Sequence, residues 1–147
     1  MSSKRYLEDL AVGDTYVSGE YTVTYDDIIA FAQRYDPQPF HLSEAAAANS
    51  LFGGLAASGW HTAAISMRLL VDSLPLAGGL IGAGAEIVWP RPTRPGDTLR
   101  VRSEILQITP SHSKPDRAIV LMQSDTLNQN AEAVQRLTSK LVVFRRP

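Results

Sequence analysis

The 147-residue chain contains no cysteine. That excludes disulfide staples, thiolate metal sites and a thiol nucleophile. It also lacks an excess of either charge: 14 Lys+Arg stand against 15 Asp+Glu, for a formal net charge of -1. No overall positive field is available to hold nucleic acid or an anionic membrane. No apolar run approaches the roughly 18 residues of a spanning helix. Met1 to Tyr6 lacks the apolar stretch of a secretory leader. Internal repeats, low-complexity tracts and linkers are missing too. What is present is 44% apolar and 20% charged residues, enough aliphatic content to pack a core and too little charge for a disordered segment. The expectation is one soluble, cytoplasmic domain spanning residues 1–147.

Patterning divides the chain in two. Thr15 to Tyr25, rich in Tyr, Thr and Val, reads as a strand with a bend at Gly19. Thr24 with Asp27 three residues on resembles a capping box, so a short helix begins at Thr24 or Asp26. Ile28, Ile29, Phe31, Ala32 and Tyr35 give it an apolar stripe, and Pro37 stops it. Pro37 to His41 reads as a stiff, proline-bracketed loop. Ser43 caps a second helix, Glu44 to about Leu51, closed by Gly53 and Gly54. A longer helix runs roughly from Trp60 to Leu74. There Trp60, Ala63, Ala64, Met67, Leu70, Val71 and Leu74 recur at steps of three and four, which predicts that this face meets the core. The second half changes period: Leu80–Trp89, Thr98–Thr109, Ala118–Leu127 and Ala133–Phe144 read as four long strands. Val101, Ser103 and Ile105 alternate with Arg100, Arg102 and Glu104. The sum is an α+β domain in which one long helix covers the apolar face of a curved antiparallel sheet.

Two segments hold residues suited to chemistry. In Tyr35-Asp36-Pro37-Gln38-Pro39-Phe40-His41, a carboxylate and an imidazole lie five positions apart. Extended, that separation reaches roughly 17 Å, so the side chains meet only if the segment curls. Two prolines can hold such a curl rigid. Asp36 at a helix C-terminus faces the negative end of the macrodipole, and partial burial there would raise its proton affinity. His titrates near neutrality, so the pair fits acid/base work, although a capping Asp and a packed His fit the same spacing. In Ala57-Ser58-Gly59-Trp60-His61, a glycine opens the long helix. Its free N–H can stabilise a developing negative oxygen, and a plain helix cap is the simpler alternative.

Other groups point to less. His41, His61 and His112 lack metal-type spacing and have no Cys companions. Asp26-Asp27 fits a helix-start charge pair. Gly78-Gly79, Gly82 and Gly84 lack the strand–turn–helix context of a dinucleotide loop; Gly82 and Gly84 fit a strand passing close to a helix or substrate. Ser58 has no local general base for a triad. Arg91, Arg94, Arg100 and Arg102 form a basic cluster that fits either a solvated edge or the phosphates of an anionic ligand.

Taken together, the chain resembles the MaoC-like acyl dehydratases, relatives of the (R)-specific enoyl-CoA hydratases. The resemblance is carried by Tyr35 to His41, Ala45-Ala46, Phe52-Gly53-Gly54 and Ala56 to Trp60. It continues through Trp89-Pro90-Arg91-Pro92-Thr93-Arg94-Pro95-Gly96-Asp97-Thr98-Leu99, and so extends from about Leu7 to the last strand. It implies a hot-dog fold, a long central helix wrapped by an antiparallel sheet, in a homodimer or higher homo-oligomer with sites near the subunit interface. It implies catalytic roles for Asp36, His41 and the Gly59 N–H; substrate contacts are expected at Ser58, Trp60, Arg91 and Arg94. The reaction implied is reversible hydration of trans-2-enoyl thioesters of coenzyme A to (3R)-3-hydroxyacyl thioesters, within acyl-CoA and fatty-acid metabolism. It needs no metal and no redox cofactor. Gln38 stands where the family usually has Asn, and Ser43 where it often has Asp. A hot-dog thioesterase and a non-catalytic acyl-thioester-binding subunit are the alternative readings.

Overall fold

Long alternating strands need an apolar cover on one face, and this chain supplies it with a single 15-residue helix. The computed structural model describes residues 4–147; of the N-terminal stretch read as lacking a leader, residues 1–3 lie outside that range. A 3₁₀ turn, Leu7–Asp9, precedes β1 (Thr15–Val17), β2 (Tyr21–Thr22), α1 (Tyr25–Tyr35), α2 (Pro39–Leu42), α3 (Glu44–Ala48) and α4 (Gly59–Ser73). Four long strands follow: β3 (Ile81–Val88), β4 (Thr98–Pro110), β5 (Arg117–Leu127) and β6 (Ala133–Phe144). The sheet order is β1-β4-β5-β6-β3, with β2 also paired to β4. All of these pairings are antiparallel. This is the helix-on-antiparallel-sheet architecture expected from the sequence.

The sheet's inner face follows period two. Leu99, Val101, Ser103 and Ile105 of β4 are buried, as are Ala118, Val120, Met122, Ser124 and Thr126 of β5. Helix α4 packs on β4 and β6, and Leu70 and Leu74 join the same core. Buried hydroxyls on this face pair with one another. Ser103 meets Ser124 at 3.0 Å, Ser66 meets Thr126 at 2.6 Å, and the Ser66 hydroxyl donates to the Thr62 carbonyl at 2.8 Å. Such satisfaction is what makes polar groups tolerable in a core.

The structure corrects several expectations. Thr15 to Tyr25 is not one strand. Ser18 to Glu20 break it, where the Ser18 N–H donates to the Val101 carbonyl and its hydroxyl accepts from the Val101 N–H. The segment expected as an irregular loop after Pro37 contains a helical turn, α2, with Pro39 preset at its first position. Helix α3 ends at Ala48, short of Leu51, because the Ser50 hydroxyl turns back onto the Ala47 carbonyl at 2.6 Å. Gly82 and Gly84 flank a bulge in β3 and have open space beside them, with no helix or side chain pressed against either. The largest correction concerns α4. Its buried face is His61, Thr62, Ile65, Ser66, Leu69 and Leu70. Of the face expected to be core, Trp60, Met67 and Val71 are 62%, 43% and 48% exposed. Ser66 meets the sheet where Thr126 answers it with a hydroxyl, and Thr62 meets Thr93 in the segment between β3 and β4.

His61 lies in that buried face. Its ring stacks on Phe31 of α1 with centroids 4.6 Å apart and planes 4° from parallel. Its Nδ1 has no hydrogen-bond partner. Burial pushes its pKa below the ordinary 6.5, against the opposing pull of Asp27. The folded protein therefore refuses a proton that the unfolded chain accepts, and stability falls as pH drops below the ordinary histidine value toward the folded one. His61→Phe keeps a flat ring and removes the titration. Its loss of urea stability between about pH 7.5 and about pH 5 should be smaller than that of the parent chain; an equal loss would show that His61 does not carry it.

Candidate active site

The site forms where α1 ends, α2 turns and α4 begins. Asp36 caps the C-terminus of α1, its N–H donating to the Ala32 carbonyl at 2.9 Å. Pro37 forbids a further turn. The Gln38 N–H bonds the Asp36 carbonyl at 2.8 Å, and α2 then carries His41 back toward α1, its N–H bonded to the Gln38 carbonyl at 3.0 Å. The curl closes the five-residue gap: His41 Nε2 lies 3.3 Å from Asp36 Oδ2.

His41 is buried, and its Nδ1 donates to the Ala56 carbonyl at 2.7 Å. A carbonyl oxygen can only accept, so the Nδ1 proton is fixed and, in the neutral ring, Nε2 carries the lone pair. That lone pair faces the Asp36 carboxylate. Burial raises the Asp36 pKa, but hydrogen bonds from the Ser58 hydroxyl and the Gln38 amide, with the charge of His41, pull it down further. The net effect leaves the carboxyl below its ordinary value. Helix end and burial alone point to the opposite shift, the one expected from the sequence; donors aimed at the carboxylate outweigh both. Gln38, which stands where the family usually has Asn, is one of those donors.

Ser58 caps α4, its hydroxyl oxygen accepting from the Trp60 N–H at 3.3 Å and its carbonyl from the Thr62 N–H at 3.1 Å. The Gly59 N–H has no acceptor among the described residues. Gly59 faces the ring of Trp89: a Cβ there would sit 2.7 Å from it. Trp89 is held by its Nε1–H, which donates to Gln135 Oε1 at 3.1 Å, and the Trp60 ring meets it edge-on at 5.4 Å. Only glycine lets the helix entrance and this indole approach so closely.

A cavity of about 280 Å³ joins these parts. Asp36, His41, Gly59 and Trp60 line it, with Phe52, Ala57 and Thr62, and the segment Trp89 to Thr93 forms the facing wall. Arg91 reaches the cavity from an exposed position, its Nε 3.4 Å from Glu132. Two residues expected to touch substrate do not line it. Ser58 is fully buried behind the helix entrance. Arg94 directs its guanidinium to the main-chain carbonyls of Phe52, Gly54 and Leu55, which pins the segment before α4. The Arg-Pro-Gly-Asp turn is thus a fastener, and Asp97 completes it by accepting from the Arg94 N–H at 2.8 Å. Trp89, Thr62 and Thr93 were not singled out from the sequence. Trp89 and Thr93 lie within the quoted motif, but nothing in it distinguishes a wall residue from a turn residue. Among the described residues no group of three His, Cys, Asp or Glu converges as a metal would require.

Comparison with known proteins gives a consistent picture. Residues 9–123 match the model of the MaoC like domain. The crystal structure of a MaoC-like dehydratase from Rhodospirillum rubrum is 67% identical and superposes with a TM-score of 0.96, covering 97% of this chain and 99% of that one. An R-hydratase from Pseudomonas aeruginosa is 26% identical with a TM-score of 0.78, covering 96% of this chain and 86% of that one. A 3-hydroxybutyryl-CoA dehydratase of Methylorubrum extorquens is 29% identical over 136 residues, 92% of this chain and 85% of the relative.

The approach of Gly59 to Trp89 makes a prediction. Gly59→Ala should push the indole off its place, cost roughly 1–3 kcal/mol in urea unfolding and disturb the cavity wall. Trp89→Ala in the same chain should remove most of that cost. A double-mutant cycle with no coupling would show that the contact is slack.

Proposed function

The chain belongs to the MaoC-like dehydratase family and has its hot-dog fold, and from that premise we propose that it reversibly hydrates a trans-2-enoyl-CoA thioester to the (3R)-3-hydroxyacyl thioester. The observation that carries this reading is the pairing of Asp36 Oδ2 with His41 Nε2 at 3.3 Å on one cavity wall, with the free Gly59 N–H on the same cavity.

The chemistry follows from that arrangement. A water held between Asp36 and His41 gives up a proton as its oxygen bonds to C3 of the enoyl group. The C2–C3 π electrons move toward the thioester, and charge gathers on its oxygen as an enolate. The Gly59 N–H at the start of α4 stabilises that charge, a contribution of about 2.7–4 kcal/mol for a donor of this kind. The enolate then takes a proton at C2 from the pair, which restores the resting protonation state. His41 suits the exchange because the Ala56 carbonyl keeps its other nitrogen protonated, leaving Nε2 as the atom that loads and unloads. Trp60 and Arg91, on the exposed rim, would meet the coenzyme A portion.

Hydrolysis of the thioester would use the same water and the same donor. The Asp36–His41 curl favours hydration, because it matches the segment by which the sequence resembles the hydratases. The exposed apolar stripe of α4, with Ile81 and Val88 on edge strand β3, supports a homodimer built on that face. A cytoplasmic setting fits acyl-CoA chemistry; no described helix is long and apolar enough to cross a membrane.

With crotonyl-CoA, enoyl absorbance should fall without release of free thiol, read with a thiol dye. Thiol release at the rate of substrate loss would instead establish a thioesterase. Asp36→Asn and His41→Ala should each lower kcat by about 10²-fold or more while circular dichroism is unchanged; full activity in either variant would remove the pair from the mechanism. Sedimentation should give twice the chain mass, and a monomer at micromolar concentration would reject the proposed dimer.

A further inference from the structure

The deep end of the cavity is polar in a way the hydration chemistry does not use. Thr62 and Thr93 both line it and are each 2% exposed. The Thr62 hydroxyl donates to Thr93 Oγ1 at 2.9 Å. That bond spends the Thr62 proton and occupies a Thr93 lone pair. The Thr93 hydroxyl proton then has no acceptor among the described residues. A buried O–H without a partner is costly, and the cavity is where a partner can come from. The group is also fixed in place: the Thr93 carbonyl accepts from the Ala57 N–H at 2.9 Å, and prolines stand at 92 and 95.

Position along the helix sets what reaches it. With the thioester oxygen at the Gly59 N–H, the acyl chain runs from the exposed rim of Trp60 and Arg91 toward Thr62. Thr62 lies three residues further along α4, about 4.5 Å, the length of about three carbon–carbon bonds. The atom meeting the threonine pair is therefore on or next to C4. Arg91 is the one Lys or Arg on the cavity wall among the described residues, and it sits at the rim beside Glu132. No cation waits at the floor for a carboxylate, which would be left as a buried uncompensated charge. A long hydrocarbon tail would fare badly too, since it would cover the hydroxyl pair without bonding it.

Resting on the hydratase reading, we infer that Thr93 is a specificity-determining residue and that the cavity selects short enoyl chains bearing a neutral oxygen, hydroxyl or carbonyl, at C4. A site built to bond an oxygen rejects the analogue lacking it, because its own group is then stranded.

The test compares CoA thioesters of 2-butenoate, 4-hydroxy-2-butenoate and 2-octenoate. The 4-hydroxybutenoyl thioester should exceed the butenoyl one in kcat/KM by about tenfold or more, and the octenoyl one should fall about 10²-fold below. Thr93→Val should abolish the 4-hydroxy preference, and Thr93→Ser should keep it. Octenoyl turnover equal to butenoyl turnover, or a preference unchanged in Thr93→Val, would overturn the inference. If Thr93→Val does not fold, the parent chain's substrate ratios decide alone. Calorimetric binding of butanoyl-CoA and 4-hydroxybutanoyl-CoA reads the same preference without turnover. A chain that hydrates none of the panel but binds the hydroxylated analogue more tightly would end the hydratase reading and keep the floor; equal binding would end both.

Discussion

The site depends on one hydrogen bond, from His41 Nδ1 to the Ala56 carbonyl at 2.7 Å. It determines which imidazole nitrogen holds a proton and aims the other at Asp36. It also joins two parts of the chain that have no sheet pairing between them, since Ala56 lies just ahead of α4 and His41 on α2. Everything that fixes Ala56 therefore fixes the Asp36–His41 pair. The Ala56 N–H donates to the Phe40 carbonyl at 3.3 Å, and the Ala57 N–H to Thr93 at 2.9 Å. Arg94 holds the preceding carbonyls from the other side. A segment with no regular structure of its own is thereby given the rigidity of a strand, which is what positioning within tenths of an ångström requires.

Ser58 completes the connection. One hydroxyl oxygen caps α4 by accepting from the Trp60 N–H, while its proton serves the Asp36 carboxylate. Helix capping and carboxylate stabilisation are thus one arrangement. It leaves the Gly59 N–H as the unclaimed donor at the helix start, where the macrodipole reinforces it. The depressed Asp36 pKa follows from the same geometry. The donors aimed at Asp36 outweigh its burial and hold the carboxyl below its ordinary value.

What could be read in the sequence was whatever local chemistry dictates. Alternation in β4, the Thr24 cap of α1 and the proline stop after Asp36 are short-range effects, and they hold in the structure. The curl bringing Asp36 to His41 was legible as a possibility from two prolines, although its form as a helical turn was not. Residues whose role depends on distant partners were misassigned. Arg94 looks the same in sequence whether it meets a phosphate or three carbonyls, and Ser58 the same whether it faces substrate or is buried behind it. The Asp36 shift had the wrong sign because the Ser58 donor comes from 22 residues away and cannot be placed by spacing.

In helix α4 the expected core face holds only in part: Leu70 and Leu74 are buried, whereas Trp60, Met67 and Val71 are exposed. Apolar residues at helical spacing normally mark the side that meets the sheet. Here Trp60, Met67 and Val71 of that stripe are exposed in the single chain, while Thr62 and Ser66 turn inward to Thr93 and Thr126. The buried hydroxyls are tolerated because Thr62 pairs with Thr93 and Ser66 with Thr126. The pairing has a functional consequence: a helix packed with hydrocarbon on its inner face would make the cavity wall uniformly apolar, whereas this one carries hydroxyls from the sheet to the cavity. Edge strand β3 is likewise exposed at nearly every position. Sequence periodicity reports that a face is to be buried without saying by what. In α4 the inner face mixes Ile65, Leu69 and Leu70 with Thr62 and Ser66, so apolar spacing alone does not mark which side meets the sheet.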